Sequence, residues 1–177
     1  MNPLADAIRL EPNHIDYSDA LGIRRNDYAI ANNKARHGVT GTAKETEWMN
    51  IVGARAECAG YLWLKPVLWN RWTDESEKMP DLDCFIDVKG RDRLGDDIYV
   101  HDDDPPDWAF VLISARRHPI YSVLGWRWAH EVQLQRWRDD RQRKEGEPVL
   151  YRITPPHRPP VELIAALWRR ERERERA

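Results

Sequence analysis

The chain has little of what marks a secreted or membrane-inserted protein. It contains only two cysteines in 177 residues and no apolar run of about 18 residues or more. Cys58 falls in a predicted helix and Cys84 in a predicted strand, so they form neither a disulfide framework nor a metal-type spacing. No signal peptide is recognisable. We therefore expect a reduced, cytoplasmic protein that does not enter a membrane.

An excess of charge of one sign is also missing. A third of the residues are charged (33%), yet the net charge is only -2, so no basic field covers the whole chain. This counts against a protein that binds nucleic acid through overall charge, but local basic clusters can still contact phosphates. Neither a serine or cysteine nucleophile set nor a glycine-rich phosphate loop is present, which argues against covalent catalysis and phosphate-loop nucleotide binding.

The sequence divides into three parts around one domain. Residues 1–40 are polar and weakly periodic, and they predict an N-terminal arm with one short helix near residues 16–21. Residues 41–154 form the predicted core. Residues 155–177 begin with two proline pairs that interrupt the chain, and after them the sequence predicts a C-terminal helix and a charged tail whose alternating Arg and Glu cancel in charge.

The core predicts one sheet with helices on its faces. Thr42 and Glu45 form a capping box that begins a helix. An apolar stripe at helical spacing continues that helix and indicates burial: Trp48, Val52, Ala56, Ala59 and Trp63. The apolar run over residues 108–114 predicts a central strand covered on both faces. Other strands are predicted over residues 97–101, 120–126 and 149–153, and a second helix over 128–137. We expect an α/β fold with a single mixed sheet of four to five strands flanked by helices.

The segment with the clearest chemistry lies between the first helix and these strands. Pro80-Asp81 is followed after five residues by Asp87-Val88-Lys89, on a stretch that is typical of a strand. In an extended chain Asp81, Asp87 and Lys89 share one face. Carboxylate oxygens suit a hard divalent cation such as Mg²⁺, and a lysine beside them supplies a compact positive charge. The alternative is a solvated ion pair worth less than about 1 kcal/mol.

This motif and the order of the elements resemble the PD-(D/E)XK nuclease superfamily, over roughly residues 42 to 137. The resemblance implies a restriction-endonuclease-like fold and hydrolysis of phosphodiester bonds, most often in DNA, with Mg²⁺ or Mn²⁺ as its substitute. Asp81 and Asp87 are then metal ligands, joined by the helix residue Glu57 and the Val88 carbonyl, and Lys89 is the catalytic lysine. Because the spacing from Asp81 to Asp87 is short for this superfamily, Asp83 stays open as the first ligand.

Arginines near the motif are candidates for nucleic-acid binding. Arg91 and Arg93 follow the motif directly, and Arg116 and Arg117 lie on a predicted turn. Their planar donor forks match phosphate geometry. The other interpretation is that both clusters are solvated turns.

The resemblance leaves several properties open. Nucleases of this type often pair, which implies a homodimer, and the short chain with its arm suits a phage or prophage protein in the host cytoplasm. Gln133 and Trp137 resemble the Gln-x-x-x-Tyr element of some exonuclease branches, although an exposed helix glutamine also explains them. The alternative function is a catalytically inactive member of the same fold that binds protein or nucleic acid. The sequence does not distinguish an endonuclease from an exonuclease, or DNA from RNA as the substrate.

Overall fold

Helices and strands follow one another in the order of an α/β fold. The computed structural model describes residues 7–32, 42–65, 81–82, 85–92, 97–139, 149–154, 157–174 and 176. The elements in chain order are β1 (Ile8–Arg9), α1 (Pro12–Ala31), α2 (Ala43–Leu64), β2 (Ile86–Arg91), β3 (Ile98–His101), β4 (Ala109–Arg117), β5 (Ile120–Trp128), α3 (Ala129–Val132), a 3₁₀ turn (Gln135–Trp137), β6 (Arg138–Asp139), β7 (Leu150–Ile153) and α4 (Pro160–Arg174).

The described strands form two sheets. The larger has the order β1-β5-β4-β2, with β2 parallel to β4 and the other pairs antiparallel. Strands β3, β7 and β6 form an antiparallel second sheet. The predicted α/β class and mixed sheet are confirmed, but the single sheet is wrong. Strand β3 pairs with β7 instead of joining the main sheet, and its Ile98 and Val100 side chains pack with Phe110 and Leu112 on one face of that sheet.

The main sheet is covered on both faces. Ala109, Val111 and Ile113 of β4 pack into the core shared with α2 and α4. Phe110 and Leu112, which alternate with them, pack against the second sheet. All five side chains are at most 1% exposed. The prediction of a central strand buried on both faces is therefore confirmed.

Helix α2 begins where the capping box predicts. The Thr42 N–H donates to the Glu45 carboxylate (2.6 Å), and the Glu45 N–H donates to the Thr42 hydroxyl (3.3 Å). The predicted stripe is buried except at Trp48, which is 43% exposed. Its indole N–H donates to Asp92 (2.8 Å) just beyond β2, so the ring lies at the rim of the sheet.

The N-terminal segment forms a helix of 20 residues instead of a short one. Helix α1 packs on the side of α2 that faces away from the sheet. Its buried face carries Ser18, Leu21, Gly22 and Asn26, and this mixture gives no apolar periodicity. Because α1 covers α2 from outside, α2 is buried on two sides, and Glu57 is enclosed between the helices and the sheet edge.

The C-terminal part also forms a helix. The helix predicted after the prolines begins at Pro160, and Leu163, Ile164 and Leu167 pack into the core on the α2 face. The helix predicted over residues 128–137 is wrong in length, since α3 has four residues and a 3₁₀ turn follows. In the part of the chain that the structure describes, no helix is long and apolar enough to cross a membrane.

Candidate active site

Asp81 lies at the edge of the main sheet, just before β2. The chain reverses between Leu82 and Ile86, where the Leu82 N–H donates to the Ile86 carbonyl (3.0 Å). Phe85 makes this reversal with φ at 65°, a left-handed conformation that is rare for a bulky residue. The turned-back Asp81 then accepts a hydrogen bond from the Val88 N–H (2.7 Å). The alternation predicted for residues 81–89 therefore stops at Phe85, yet Asp81 still reaches the middle of β2.

The Val88 carbonyl points to the same side as Asp81. In an extended strand, the N–H and C=O groups of one residue point in the same direction. The Val88 N–H points away from β4, toward Asp81, so the Val88 carbonyl does too. The N–H and C=O of Ile86, two residues before Val88, also point away from β4, since both bond to Leu82. The Phe85 carbonyl instead points toward β4 and accepts a hydrogen bond from the Ala109 N–H. This edge of β2 thus presents a backbone oxygen beside a carboxylate.

Asp87 and Lys89 share the sheet face opposite to Val88. The Lys89 Nζ lies 2.6 Å from Asp87 Oδ1 and 5.1 Å from the centre of the Phe110 ring. Burial works against the charged form of Lys89, but the negative charges of Asp87 and Asp81 outweigh it and raise the Lys89 pKa. Lys89 is therefore an ammonium ion held over an aromatic ring at neutral pH.

Glu57 approaches the same edge from α2. The side chain of Glu57 is only 6% exposed, and its Oε1 lies 2.5 Å from Nη1 of Arg25 on α1. The buried Arg25 Nε has no hydrogen-bond partner within the described part of the chain. Sequence reasoning missed Arg25 because residues 1–40 carry no apolar period that would place a helix against α2.

Asp81 lies close enough to Glu57 and Asp87 to be affected by their charges. Burial raises the pKa of Asp81 well above its usual range, and the charges of Glu57 and Asp87 raise it further. Lys89 and the Val88 N–H act in the opposite direction without cancelling this effect. Arg25 interacts electrostatically with Glu57, Asp81 and Asp87. The structure therefore places Glu57 and Asp81 within electrostatic reach of Asp87 and its partner Lys89, and Arg25 is a further member of this group.

Asp104, in an acidic segment whose sequence is typical of a solubilising turn, is a further acidic neighbour of the cluster. Burial raises its pKa, and its charge interacts with those of Lys89 and Asp87. Its carboxylate accepts a hydrogen bond from the His101 N–H (2.7 Å). The Gln133 amide donates to the carbonyls of His101 (2.7 Å) and Asp104 (2.8 Å), which ties down the turn after β3. Gln133 is thus engaged in holding this turn.

Of the arginines predicted to bind nucleic acid, Arg116 and Arg117 lie apart from this cluster, and Arg91 contacts the Tyr99 ring instead. Arg91 is half-buried over the Tyr99 ring (5.2 Å) and donates to the Gly90 carbonyl (3.0 Å), and burial lowers its pKa. Arg116 and Arg117 are exposed at the far end of β4. Lys89 pairs with Leu112, so Arg117 lies roughly 16 Å further along the strand. Arg93 and Asp83 fall outside the described residues.

The donor atoms fit a hard divalent cation in type. Asp81 and the Val88 carbonyl lie at the edge of β2, with Asp87 on one side of the sheet and Glu57 on the other. Carboxylate and carbonyl oxygens are the donors that Mg²⁺ and Mn²⁺ prefer. Burial is the main cause of the raised pKa of Asp81, and the negative charges of Glu57 and Asp87 add to it. Within the described residues, however, no three His, Cys, Asp or Glu side chains stand in a geometry ready to hold a metal. Arg25, Lys89 and the Val88 N–H already engage the carboxylates.

Comparison with known proteins adds no further assignment: no family model, curated protein or solved structure matches the chain.

Proposed function

We propose that the protein is a divalent-metal-dependent nuclease that hydrolyses phosphodiester bonds in DNA, with a restriction-endonuclease-like core of the PD-(D/E)XK superfamily. One observation carries the proposal. The Asp81 carboxylate at the edge of β2 interacts electrostatically with the carboxylates of Asp87 and of Glu57 from α2, and the Lys89 ammonium lies 2.6 Å from Asp87.

The surrounding fold supports the proposal. In the motif strand β2, Asp87 and Lys89 project from one face, while Asp81 occupies the strand edge. Glu57 comes from the helix packed on the other face, close to β2. The site is therefore assembled around a strand edge, where a bound nucleic-acid strand could approach from outside the sheet.

Each residue has a role in the proposed mechanism. Glu57, Asp81, Asp87 and the Val88 carbonyl would hold one or two Mg²⁺ ions. Bound Mg²⁺ lowers the pKa of a coordinated water and polarises the phosphoryl oxygen. Lys89, kept charged by its carboxylate neighbours, orients the attacking water and stabilises negative charge that develops on the phosphoryl group. The Lys89 ammonium lies over the Phe110 ring, and this contact helps to keep the ammonium beside Asp87.

An assay on several nucleic-acid forms tests this function. Purified protein is incubated with supercoiled plasmid, linear duplex, single-stranded DNA and RNA in Mg²⁺, and parallel reactions contain EDTA. We expect cleavage of at least one DNA form in Mg²⁺ and Mn²⁺, and none in EDTA. Nicked plasmid would indicate an endonuclease, whereas shortening of linear DNA alone would indicate an exonuclease. Absence of metal-dependent cleavage on every DNA form would contradict the proposal.

The alternative is a catalytically inactive member of the same fold. It is favoured by one feature, namely that Arg25 and Lys89 already engage Glu57 and Asp87. Thermal unfolding separates the two functions, because a ligand that binds only the native state raises the melting temperature. The nuclease predicts a rise with Mg²⁺ or Mn²⁺, and the inactive module predicts none.

A further inference from the structure

A cavity lies between α4 and the end of β5, outside the carboxylate cluster. Its volume is about 360 Å³, within the range of small-molecule sites. Trp128 at the end of β5 and His130 in α3 contribute aromatic rings to its lining. Helix α4 contributes four residues that are spaced three, four and seven positions from the first and so share one helix face: Ala166, Arg169, Arg170 and Glu173.

We propose that this cavity binds one unpaired nucleotide of a DNA strand, with the base stacked on Trp128 and a phosphate in contact with Arg169. The inference rests on the proposed function for DNA as the ligand, and it deepens that function by naming single-stranded DNA as the form that the protein holds. The contact requires no metal ion.

The aromatic part of the cavity is held in place by its neighbours. The Trp128 ring packs edge-on against Trp126 (5.1 Å between ring centres) and lies nearly parallel to the His130 ring (6.4 Å, 13°). The His130 Nδ1–H donates to the Pro106 carbonyl (2.8 Å), which orients that ring as well. Trp128 is half-buried and lines the cavity, so it offers a preset flat surface. Any base can stack on such a ring, because every base has a π-face.

The polar groups of the cavity carry both signs of charge, which suits the edge of a base better than a bare anion. Arg170 donates to the carbonyl and the carboxylate of Asp107 and lies over the Phe85 ring (4.0 Å), so it is a fixed part of the wall. Arg169 and Glu173 are exposed on the cavity side of α4. Their donors and acceptors are therefore open to a ligand, and the guanidinium of Arg169 matches phosphate geometry.

The cavity lies at the end of the main sheet where the motif strand β2 begins. Ala109 of β4 pairs with Ile86 of β2 on one side and with Trp128 of β5 on the other. Two strand spacings therefore separate Trp128 from Ile86, roughly 10 Å between their backbones. Arg170 also contacts Phe85, in the reversal before β2. Roughly three stacked nucleotides span such a distance, so a strand held in the cavity can extend to the candidate active site.

Binding of a short, fluorescently labelled single-stranded DNA to the full chain tests the inference. Fluorescence anisotropy is measured in EDTA, so that neither cleavage nor metal binding contributes. Trp128→Leu should bind about tenfold more weakly than the wild type, because the stacking surface is lost. Trp128→Phe also shortens the side chain but keeps an aromatic face, and it should bind within about threefold of the wild type. Thermal unfolding of both variants checks that they are equally folded.

Two residues on other faces of α4 provide matched controls. Trp168 is 49% exposed and lies on the opposite side of the helix from the cavity face, so Trp168→Leu should bind like the wild type. Arg169→Ala should weaken binding more than Arg172→Ala does. Both changes remove one positive charge from an exposed position of α4, but only Arg169 lies on the cavity face. Equal effects of the two arginine changes would contradict the phosphate contact.

Two further ligands identify what the cavity binds. Blunt duplex DNA of the same length should bind equally well to the wild type and to Trp128→Leu, because its bases are paired and stacked on one another. The mononucleotide dAMP should displace the labelled strand only when it is in large excess. A loss of duplex binding in Trp128→Leu as large as the loss for the single strand would contradict an unpaired base as the ligand. Displacement by dAMP at the concentration at which unlabelled strand competes would show a site for free nucleotides and contradict the strand.

The outcomes separate this inference from the proposed function. If Trp128→Leu binds single-stranded DNA as Trp128→Phe does, or if the wild type does not bind it, the inference is wrong even when the wild type cleaves DNA. If binding depends on Trp128 but no DNA form is cleaved in Mg²⁺, the nuclease function is wrong and the nucleotide site stands.

Discussion

Replacing Lys89 by methionine should lower the rate of DNA cleavage about a thousandfold while the fold stays in place. Methionine keeps an unbranched apolar chain over the Phe110 ring but removes the ammonium that lies 2.6 Å from Asp87. The reaction then lacks the charge that orients water and stabilises the phosphoryl group. Single-turnover cleavage with saturating Mg²⁺ measures the loss, and circular dichroism with thermal unfolding checks the fold.

Lys44→Met is the matched control, because Lys44 is exposed in the first turn of α2, roughly 20 Å along the helix axis from Glu57. Its cleavage rate should equal that of the wild type. If Lys89→Met cleaves DNA within a few-fold of the wild-type rate, Lys89 has no part in the chemistry.

Replacing Gly22 by alanine should destabilise the protein by about 1–3 kcal/mol, although alanine favours a helix over glycine by about 1 kcal/mol. A Cβ at position 22 would lie 2.6 Å from the Ile51 Cα and 2.7 Å from its nitrogen. These are backbone atoms of α2, so α1 must shift outward to make room. The shift also draws Arg25, one turn further along α1, away from Glu57. Urea unfolding measures the change in free energy.

Gly53→Ala is the matched control for Gly22→Ala, and we expect it not to destabilise the protein. Gly53 lies in the middle of α2, and a Cβ there would meet no heavy atom within 4 Å. The helix preference of alanine then acts alone, and we expect unchanged or increased stability, by up to about 1 kcal/mol. Equal stability of the two variants would contradict the close approach of α1 and α2 at Gly22.

The features that the sequence predicts best are those that local chemistry determines. The capping box at Thr42 needs only a hydroxyl and a glutamate three residues apart. Strand β4 is apolar on both faces, so its burial can be predicted from its own residues, without knowing which segments pack against it. The spacing of Asp87 and Lys89 places both on one strand face, and the structure brings them into contact.

The features that the sequence does not reveal depend on contacts between distant segments. The reversal before β2 contains Phe85 in a left-handed conformation, and the glycine that usually marks such a conformation is missing there. The burial of α1 uses polar pairs with α2, such as Asp19 with Arg55 (2.5 and 2.6 Å), instead of an apolar stripe. The pairing of β3 with β7 joins segments about 50 residues apart. Arg25 could therefore not be placed at the site from its position in the chain.

The central claim is that Asp81 and Asp87 help to hold a divalent cation at the edge of β2. Electron paramagnetic resonance of Mn²⁺ counts bound ions directly during a titration of the full chain. We predict one or two bound Mn²⁺ per wild-type molecule, and binding at least about tenfold weaker in Asp81→Asn and Asp87→Asn. Asp103→Asn, which changes an exposed acid in the turn after β3, should bind like the wild type. Wild-type protein that leaves all Mn²⁺ free, or Asp81→Asn and Asp87→Asn variants that bind it undiminished, would contradict the account.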